Sequence, residues 1–204
     1  MSHTILTTSD LTKTYKDFVA LKQVSLAVEK GDIYGLIGRN GAGKTTFFKL
    51  IMGLSNRTSG TIIIDDQSDL HKARSSIGFM IGLSFFPYLT AYQNIEYYRK
   101  LKGIKDQQET ERVLTLVELY GEKQPFKTFS MGMKQRLGIA NALLGHPSII
   151  ILDEPINGLD PQGIITIRKM IKQMNEQEGT TFIISSHILS ELDMVATKFG
   201  FIDH

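Results

Sequence analysis

The sequence predicts an α/β fold with a helix-rich lobe inserted into its core. Three observations predict it. A glycine-rich loop over residues 38–46 stands between a predicted strand and a predicted helix, a helix-rich middle follows, and an apolar run at 149–152 ends in two carboxylates. The strand–loop–helix order is typical of a phosphate-binding unit. An uninterrupted apolar run is typical of a parallel strand that is buried on both faces.

Length and composition fit one domain over residues 1–204, and they exclude or disfavour several functional classes. The chain has 42% hydrophobic and 22% charged residues, with a formal net charge of +2. This near-balanced charge argues against a broad basic face for nucleic acid. The absence of cysteine excludes disulfides and thiolate metal sites. No apolar run approaches the ~18 residues of a membrane span. The first residues lack a signal-peptide pattern, so we expect a cytosolic location.

The first predicted elements surround the glycine loop. Leu26–Ile37 reads as two strands joined by a turn at residues 29–32, and the second strand leads into the loop. A helix is predicted over Thr45–Met52, and Thr61–Asp65 is another strand. The loop therefore has the flanking strand and helix that a phosphate-binding loop requires.

The predicted lobe spans residues from about 84 to 146. Thr90 and Gln93 match a capping box that opens its first helix. An amphipathic helix is predicted over Asp106–Leu119, and a third helix runs from Gly132 to about Leu144. These three helices interrupt the alternation of strands and helices in the core.

The core resumes after the lobe. Ser148–Asp153 is predicted as a buried strand, and Asp160 with Pro161 has the composition of a helix start. Thr180–Ser186 is one more strand, followed by a helix over Ile188–Ala196. Both of these strands end in polar residues, at the edge where open α/β sheets place ligand chemistry.

The glycine loop matches the pattern G-x-x-x-x-G-K-[ST], which binds nucleotide phosphates. Its glycines allow backbone N–H groups to approach the phosphates of ATP closely. Lys44 supplies a positive charge to the outer phosphates, and the Thr45 hydroxyl can hold Mg²⁺. The residues predicted to bind ATP here are Gly38, Arg39, Asn40, Gly41, Ala42, Gly43, Lys44, Thr45 and Thr46.

Three further side chains are predicted at the same edge of the sheet. Asp153 can hold Mg²⁺ directly or through water, and Glu154 can polarise the attacking water. His187 follows a strand directly and could donate to the terminal phosphate. Each has a plainer alternative: solvated acids at a strand end, and a histidine that is satisfied at the surface or in the core.

Two outlying sites have weaker local support. Ser130 and Gly132 begin a helix whose hydroxyl and free N–H groups would form a second anion site, although an ordinary serine cap is the alternative. Tyr15 could stack on adenine, but the residues alone are equally consistent with packing against the core.

In this order the motifs resemble those of the nucleotide-binding domain of ATP-binding cassette (ABC) transporters, over essentially the whole chain. Five segments carry the resemblance: the Walker A loop at Gly38–Thr45, the signature at Ser130–Arg136, the Walker B strand at Ile149–Asp153 with Glu154 as catalytic glutamate, the D-loop at Asn157–Asp160, and the switch histidine at His187.

The resemblance implies a P-loop NTPase fold with a RecA-like core, an antiparallel β subdomain and an inserted helical subdomain. It implies an ATPase in which Glu154, His187 and Lys44 are catalytic and Thr45 and Asp153 hold Mg²⁺. It also implies a head-to-tail dimer with a second nucleotide-binding domain, most simply a copy of this chain. Ser130 and Gly132 of one copy would then grip the ATP held by the other. A transmembrane permease subunit would dock near the helical lobe, which would place the chain peripherally on the inner face of the cell membrane.

Two departures from the common family pattern carry information. The run Ser-Met-Gly-Met-Lys-Gln-Arg-Leu at residues 130–137 resembles the signature of bacterial exporters for bacitracin, lantibiotics and similar peptides. Gly82 stands where the glutamine loop usually has Gln or Glu, so no side chain there could touch Mg²⁺ or water.

Family members usually continue past the last strand, so we expect a truncated or incomplete edge near residues 199–204.

The leading hypothesis is an ATPase subunit that powers export of a peptide or antibiotic. A non-transport ABC ATPase that acts on ribosomes or DNA is disfavoured by the single cassette, the lack of heptads and the near-neutral charge. A degenerate cassette that binds ATP but hydrolyses it poorly is favoured by Gly82 and the chain end, and opposed by Lys44, Glu154 and His187. The sequence names neither the cargo nor the permease, and it does not decide between a homodimer and a heterodimer.

Overall fold

A computed structural model of the chain describes residues 3–67 and 69–203. Within these ranges it contains eight strands, seven α-helices and one 3₁₀ turn at Phe126–Thr128. The strands are β1 Thr4–Tyr15, β2 Phe18–Glu29, β3 Ile33–Ile37, β4 Ser59–Ile64, β5 Ile77–Met80, β6 Ile149–Leu152, β7 Thr181–Ser186 and β8 Lys198–Phe201. The helices are α1 Lys44–Ile51, α2 Leu70–Arg74, α3 Ala91–Leu101, α4 Gln108–Leu116, α5 Met131–Leu143, α6 Pro161–Glu178 and α7 Leu189–Leu192.

The strands form two sheets of different kinds. The order β2-β1-β4 makes a three-stranded antiparallel sheet, and β5-β6-β7-β3-β8 makes a five-stranded parallel sheet. Every residue of β3, β6 and β7 is buried. These apolar strands therefore need cover on both faces, as is usual for parallel sheets.

The two faces of the parallel sheet line separate cores. Along β6, Ile149 and Ile151 pack with α1 and the antiparallel sheet, whereas Ile150 and Leu152 pack with the helices of the lobe and α6. This alternation follows from the two-residue period of a strand. It holds α1, with the buried Phe47 and Phe48, between the two sheets. The glycine loop between β3 and α1 is thereby fixed at the carboxyl end of β3.

The lobe helices begin close to where the sequence predicts. Thr90 and Gln93 form the expected capping box, in which each side chain accepts from the backbone N–H of the other residue. Two ion pairs each lie within one helix: Glu96 with Arg99 in α3, and the buried Glu109 with Arg112 in α4. Hydrogen bonds from Thr110 to Glu96 and from Arg112 to the carbonyl of Leu143 link these helices to one another and to α5. The predicted amphipathic helix is shorter than Asp106–Leu119, because α4 ends at Leu116.

Three elements were not predicted: β1, α2 and β5. The alternation of β1 and β2 is hidden by register shifts along their pairing and by positive φ angles at Asp10 and Gln23. Irregularities of this kind reverse which face a residue occupies, so a period-two search fails. The predicted helix over Ile188–Ala196 is also wrong in length. The helix stops at Leu192. The chain must then turn towards the parallel sheet, because the N–H of Thr197 donates to the carbonyl of Ile33, the first residue of β3.

No described helix is long and apolar enough to cross a membrane.

Candidate nucleotide-binding site

The carboxyl ends of β3, β6 and β7 meet at one edge of the parallel sheet, and a cavity opens there. In open α/β sheets this edge is the usual place for a ligand. The cavity has a volume of about 190 Å³. Its lining consists of the glycine loop and the two acids after β6: Arg39, Asn40, Gly41, Gly43, Lys44, Thr45, Thr46, Asp153 and Glu154.

The glycine loop presents backbone donors that no side chain caps. Gly43 is the N-cap of α1, has a φ of 98° and makes no side-chain cap hydrogen bond. The first N–H groups of the helix are therefore available to an anion. A Cβ at Gly43 would lie 2.5 Å from the carbonyl oxygen of Ala20, so both the backbone angle and the close approach require glycine.

Lys44 is a buried cation held by the loop. Its side chain is 6% exposed, and its Nζ donates to the carbonyl oxygens of Gly38 at 2.5 Å and Arg39 at 3.2 Å. Nζ also lies 3.2 Å from Oε1 of Glu154. That oxygen is buried and has no aligned hydrogen bond, so the contact is an ion pair that leaves an acceptor unsatisfied. This oxygen is therefore charge-compensated by Lys44 and can still accept a hydrogen bond from a bound donor such as water.

Asp153 joins the loop to the strands. Its Oδ2 accepts from Thr45 Oγ1 at 2.6 Å, and its Oδ1 accepts from Ser185 Oγ at 2.7 Å. A hydroxyl and a carboxylate side by side are hard oxygen ligands of the kind that Mg²⁺ prefers. Across residues 3–67 and 69–203 no cluster of three or more His, Cys, Asp or Glu could hold a metal alone. The residues therefore fit a Mg²⁺ ion that takes its other ligands from phosphate and water.

Glu154 is held in a strained conformation. Its φ is 51°, in the left-handed region that is uncommon for a residue with a side chain. Its N–H donates to Ser185 Oγ at 2.8 Å, and its carbonyl accepts from Gln135 Nε2 at 3.3 Å. Both contacts fix the backbone and leave the carboxylate pointing at the cavity.

His187 contacts the second oxygen of the same carboxylate. Its Nδ1 lies 3.0 Å from Glu154 Oε2, and its side chain is 31% exposed. Lys44 and His187 thus contact different oxygens of Glu154, at 3.2 and 3.0 Å. The structure brings together the three residues that the sequence analysis predicted to be catalytic.

Most of the chain matches one protein family. The ABC transporter family matches residues 21–157 of the chain, two thirds of its length. The chain belongs to the ABC transporter family.

Related ABC proteins with a named role come from bacteria. The chain is 42% identical over 201 residues to the bacitracin transport ATP-binding protein of Enterococcus faecalis, covering 96% of this chain and 65% of the relative. It is 40% identical over 203 residues to the lantibiotic transport ATP-binding protein of Streptococcus pyogenes, covering 97% and 86%. These relatives confirm the resemblance that the signature motif indicated. The chain spans only 65% and 66% of the length of the first two relatives it matches.

Solved ABC cassettes share the fold. A dimeric cassette in a post-hydrolysis state, bound to ADP and Pi, superposes with a TM-score of 0.87 at 28% identity and covers 98% of this chain and 94% of that one. A dimeric bacterial ABC transporter cassette gives 0.85 at 29% identity, with 97% and 94% covered. The predicted fold class, a P-loop NTPase with a RecA-like core, is therefore confirmed.

Two predicted sites of this ABC chain lie outside the cavity. Ser130 caps α5, where its Oγ accepts from the N–H of Met133 at 3.2 Å, and neither Ser130 nor Gly132 lines the cavity. Tyr15 is 46% exposed, with the Lys13 ammonium 4.5 Å from its ring centroid. Its hydroxyl lies 3.4 Å from Ser55 Oγ. Within one copy these groups do not meet the glycine loop.

Two contributors to the site were missed. Ser185 is fully buried and holds both acids after β6. Gln135 donates to the carbonyls of Glu154 and Asn157, both at 3.3 Å, and so ties the signature helix to the loop after β6. The available signal for Ser185 was a pair of hydroxyls ending an otherwise apolar strand. For Gln135 no local signal exists, because its partners are 19 and 22 residues away.

Proposed function

We propose that this chain is the ATP-binding and ATP-hydrolysing subunit of a bacterial ABC transporter. It would power export of a peptide or antibiotic-like substrate through a separate permease subunit. The observation that carries the proposal is the contact of Lys44 and His187 with opposite oxygens of Glu154, beside a glycine loop with uncapped N–H groups. The transport roles in the names of the bacitracin and lantibiotic relatives support the direction and the class of cargo.

The proposed binding roles follow from the lining of the cavity. The N–H groups of residues 38–46 would bind the phosphates, and Lys44 would move from Glu154 to the outer phosphates. Thr45 and Asp153 would hold Mg²⁺, which neutralises phosphate charge when bound. Tyr15, partly exposed at the end of β1, would stack on the adenine.

The proposed reaction is hydrolysis of the terminal phosphate of ATP. Glu154 accepts a proton from the water that attacks the terminal phosphorus, the bond to the bridging oxygen breaks, and ADP and phosphate leave. His187 holds the Glu154 carboxylate in the ground state and would turn its imidazole to the terminal phosphate. The position of Glu154 in the lining of the cavity suits this role.

The working unit in this proposal is a head-to-tail dimer of cassettes. Ser130 and Gly132 lie outside the cavity of their own chain, so they can grip ATP only if a second cassette brings them to it. The dimeric cassettes among the solved neighbours support this arrangement. A permease docked near the lobe would then hold the chain on the inner face of the membrane.

A second candidate is a cassette that binds ATP as a switch and hydrolyses it poorly. Gly82 favours it, because a glycine at the glutamine-loop position has no side chain that could contact Mg²⁺ or water. No side chain at this position reaches the cavity. A site that lacks this contact would still bind ATP through the glycine loop.

Steady-state ATP hydrolysis, measured across a range of protein concentrations, tests the proposal. We expect activity to rise more steeply than linearly with concentration and to be lost in Glu154→Gln. Glu176→Gln is the matched control, because Glu176 is an exposed glutamate on α6. Tight ATP binding without hydrolysis at any concentration would favour the switch, and activity that survives in Glu154→Gln would contradict the catalytic assignment.

A further inference from the structure

The loop that carries His187 is fastened on both sides of that residue by one buried hydroxyl. Ser186 is fully buried at the end of β7, and its Oγ donates to Glu191 Oε2 at 2.6 Å. The same oxygen accepts from the N–H of Ile188 at 3.0 Å. Ser186 therefore bridges the residue after His187 and the first turn of α7.

The other end of this bridge is held by Arg168 of α6. Its Nη2 and Nε donate to the carbonyl oxygen of Glu191 at 2.7 and 3.1 Å. Its Nη2 also reaches the carbonyl of Ser190 at 3.4 Å. Because α7 has only four residues, its own hydrogen bonds cannot hold it rigid. Side-chain links from neighbouring elements must do so.

His187 itself lies between the end of β7 and the start of α7, outside both elements. Its ring reaches Glu154 across a 3.0 Å contact, so small movements of the loop change that distance directly. Misplacement of a reacting group by about 1 Å can cost up to about a hundredfold in rate. The bond from a hydroxyl to an ionised carboxylate, as between Ser186 and Glu191, is among the stronger hydrogen bonds.

We propose that Glu191 and Arg168 are positioning residues that set the distance of His187 from Glu154 and from the terminal phosphate. The inference rests on the hydrolytic function proposed above. It assigns a role in the reaction to two residues that do not line the nucleotide cavity. Because Arg168 lies on the helix that follows the D-loop, the same bridge ties the histidine loop to that helix.

We expect the fold to survive loss of this bridge, which makes the proposal testable by substitution. Leu192 and Val195 bury α7 and the following turn in the core independently of Glu191. Glu191→Ala should therefore fold, and Glu191→Gln should keep an oxygen that accepts from Ser186. Asp193→Ala is the matched control, since Asp193 is an exposed acid at the end of the same helix.

The first experiment measures ATP hydrolysis of these variants in the wild-type and His187→Ala backgrounds. We expect Glu191→Ala and Arg168→Met each to lower kcat by about tenfold or more, with little change in KM for ATP. Glu191→Gln should recover most of the rate, and Asp193→Ala should match wild type. In the His187→Ala background Glu191→Ala should cause no further loss, because its effect passes through His187.

A second readout does not depend on activity. The imidazole signals of His187, assigned by their loss in His187→Ala, should shift in NMR spectra of Glu191→Ala and stay in place in Asp193→Ala. Equal losses in both kinetic backgrounds, or unmoved imidazole signals in a folded Glu191→Ala, would overturn the proposal. If the wild-type chain hydrolyses no ATP, the proposed function fails, and the imidazole signals still decide whether the bridge positions His187.

Discussion

The hydroxyl of the fully buried Ser185 donates to Oδ1 of Asp153 at 2.7 Å. The Ser185 hydroxyl oxygen also accepts a hydrogen bond from the N–H of Glu154 at 2.8 Å. One serine on β7 thus orients the proposed Mg²⁺ ligand and fixes the backbone of the proposed catalytic glutamate. Its partners lie 32 and 31 residues away in sequence, and strand pairing between β6 and β7 brings them together.

Replacing this serine should affect both stability and the metal requirement. Ser185→Ala leaves the N–H of Glu154 without a partner and should lower the free energy of unfolding by about 1–3 kcal/mol. It should also raise the Mg²⁺ concentration that gives half-maximal ATP hydrolysis, because Asp153 loses its orientation. Denaturant unfolding and Mg²⁺ titration measure the two effects. Ser190→Ala, at an exposed serine of α7, should change neither. An unchanged Mg²⁺ requirement would show that Asp153 does not need Ser185 to orient it.

The backbone at Gly43 should not tolerate a side chain. Gly43→Ala combines a φ of 98° with a Cβ that would lie 2.5 Å from the oxygen of Ala20. We expect loss of ATP binding and destabilisation of about 1–3 kcal/mol. Gly31→Ala separates the two causes, since Gly31 also has a positive φ, of 84°, but has open space around it. Thermal unfolding should show a smaller loss of stability for Gly31→Ala than for Gly43→Ala, and titration should show normal ATP binding by Gly31→Ala. Equal behaviour of the two variants would mean that the close approach to Ala20 is unimportant.

Acid should weaken the helical lobe through Glu96. The hydrogen bonds from Arg99, which outweigh the effect of burial, lower the pKa of Glu96 from 4.5 to about 2. Because the folded pKa lies below the unfolded one, this contribution to stability is present above pH 4.5 and is lost as pH falls towards 2. Unfolding measured between these pH values should show a weaker pH dependence in Glu96→Gln than in wild type. Glu176→Gln should keep the wild-type slope, and an unchanged slope in Glu96→Gln would contradict the assignment.

Tyr15 should contribute to binding of the base but not of the phosphates. Stacking of a base on an aromatic ring is worth about 1–3 kcal/mol when measured by alanine substitution. Tyr15→Ala should therefore weaken ATP binding by about 5- to 140-fold and leave binding of inorganic tripolyphosphate unchanged. Calorimetric titration with both ligands measures the difference. Tyr88→Ala serves as control, because Tyr88 is 76% exposed on the lobe. Equal weakening of both ligands would mean that Tyr15 acts on the loop rather than on adenine.

Local patterns predicted those parts of the protein in which neighbouring residues carry the whole signal. The loop around Lys44 and the capping box at Thr90 are each complete within a few residues, so the sequence was enough. The long strand β1 was missed because its register shifts break the period on which strand prediction depends. Gln135 was missed as well, since no short pattern links it to Glu154.

The sequence by itself determined the order of the motifs, and that order indicated the family, the ligand class and the residue types of the site. Only the tertiary structure decided which of them meet. Strand pairing places Lys44, Glu154 and His187 within ion-pair distance, although the chain separates them by up to 143 residues. The same pairing leaves Ser130 outside the cavity. The physical reason is that parallel strands align their carboxyl ends, so residues far apart in the chain share one edge, where their charges and hydrogen bonds interact directly.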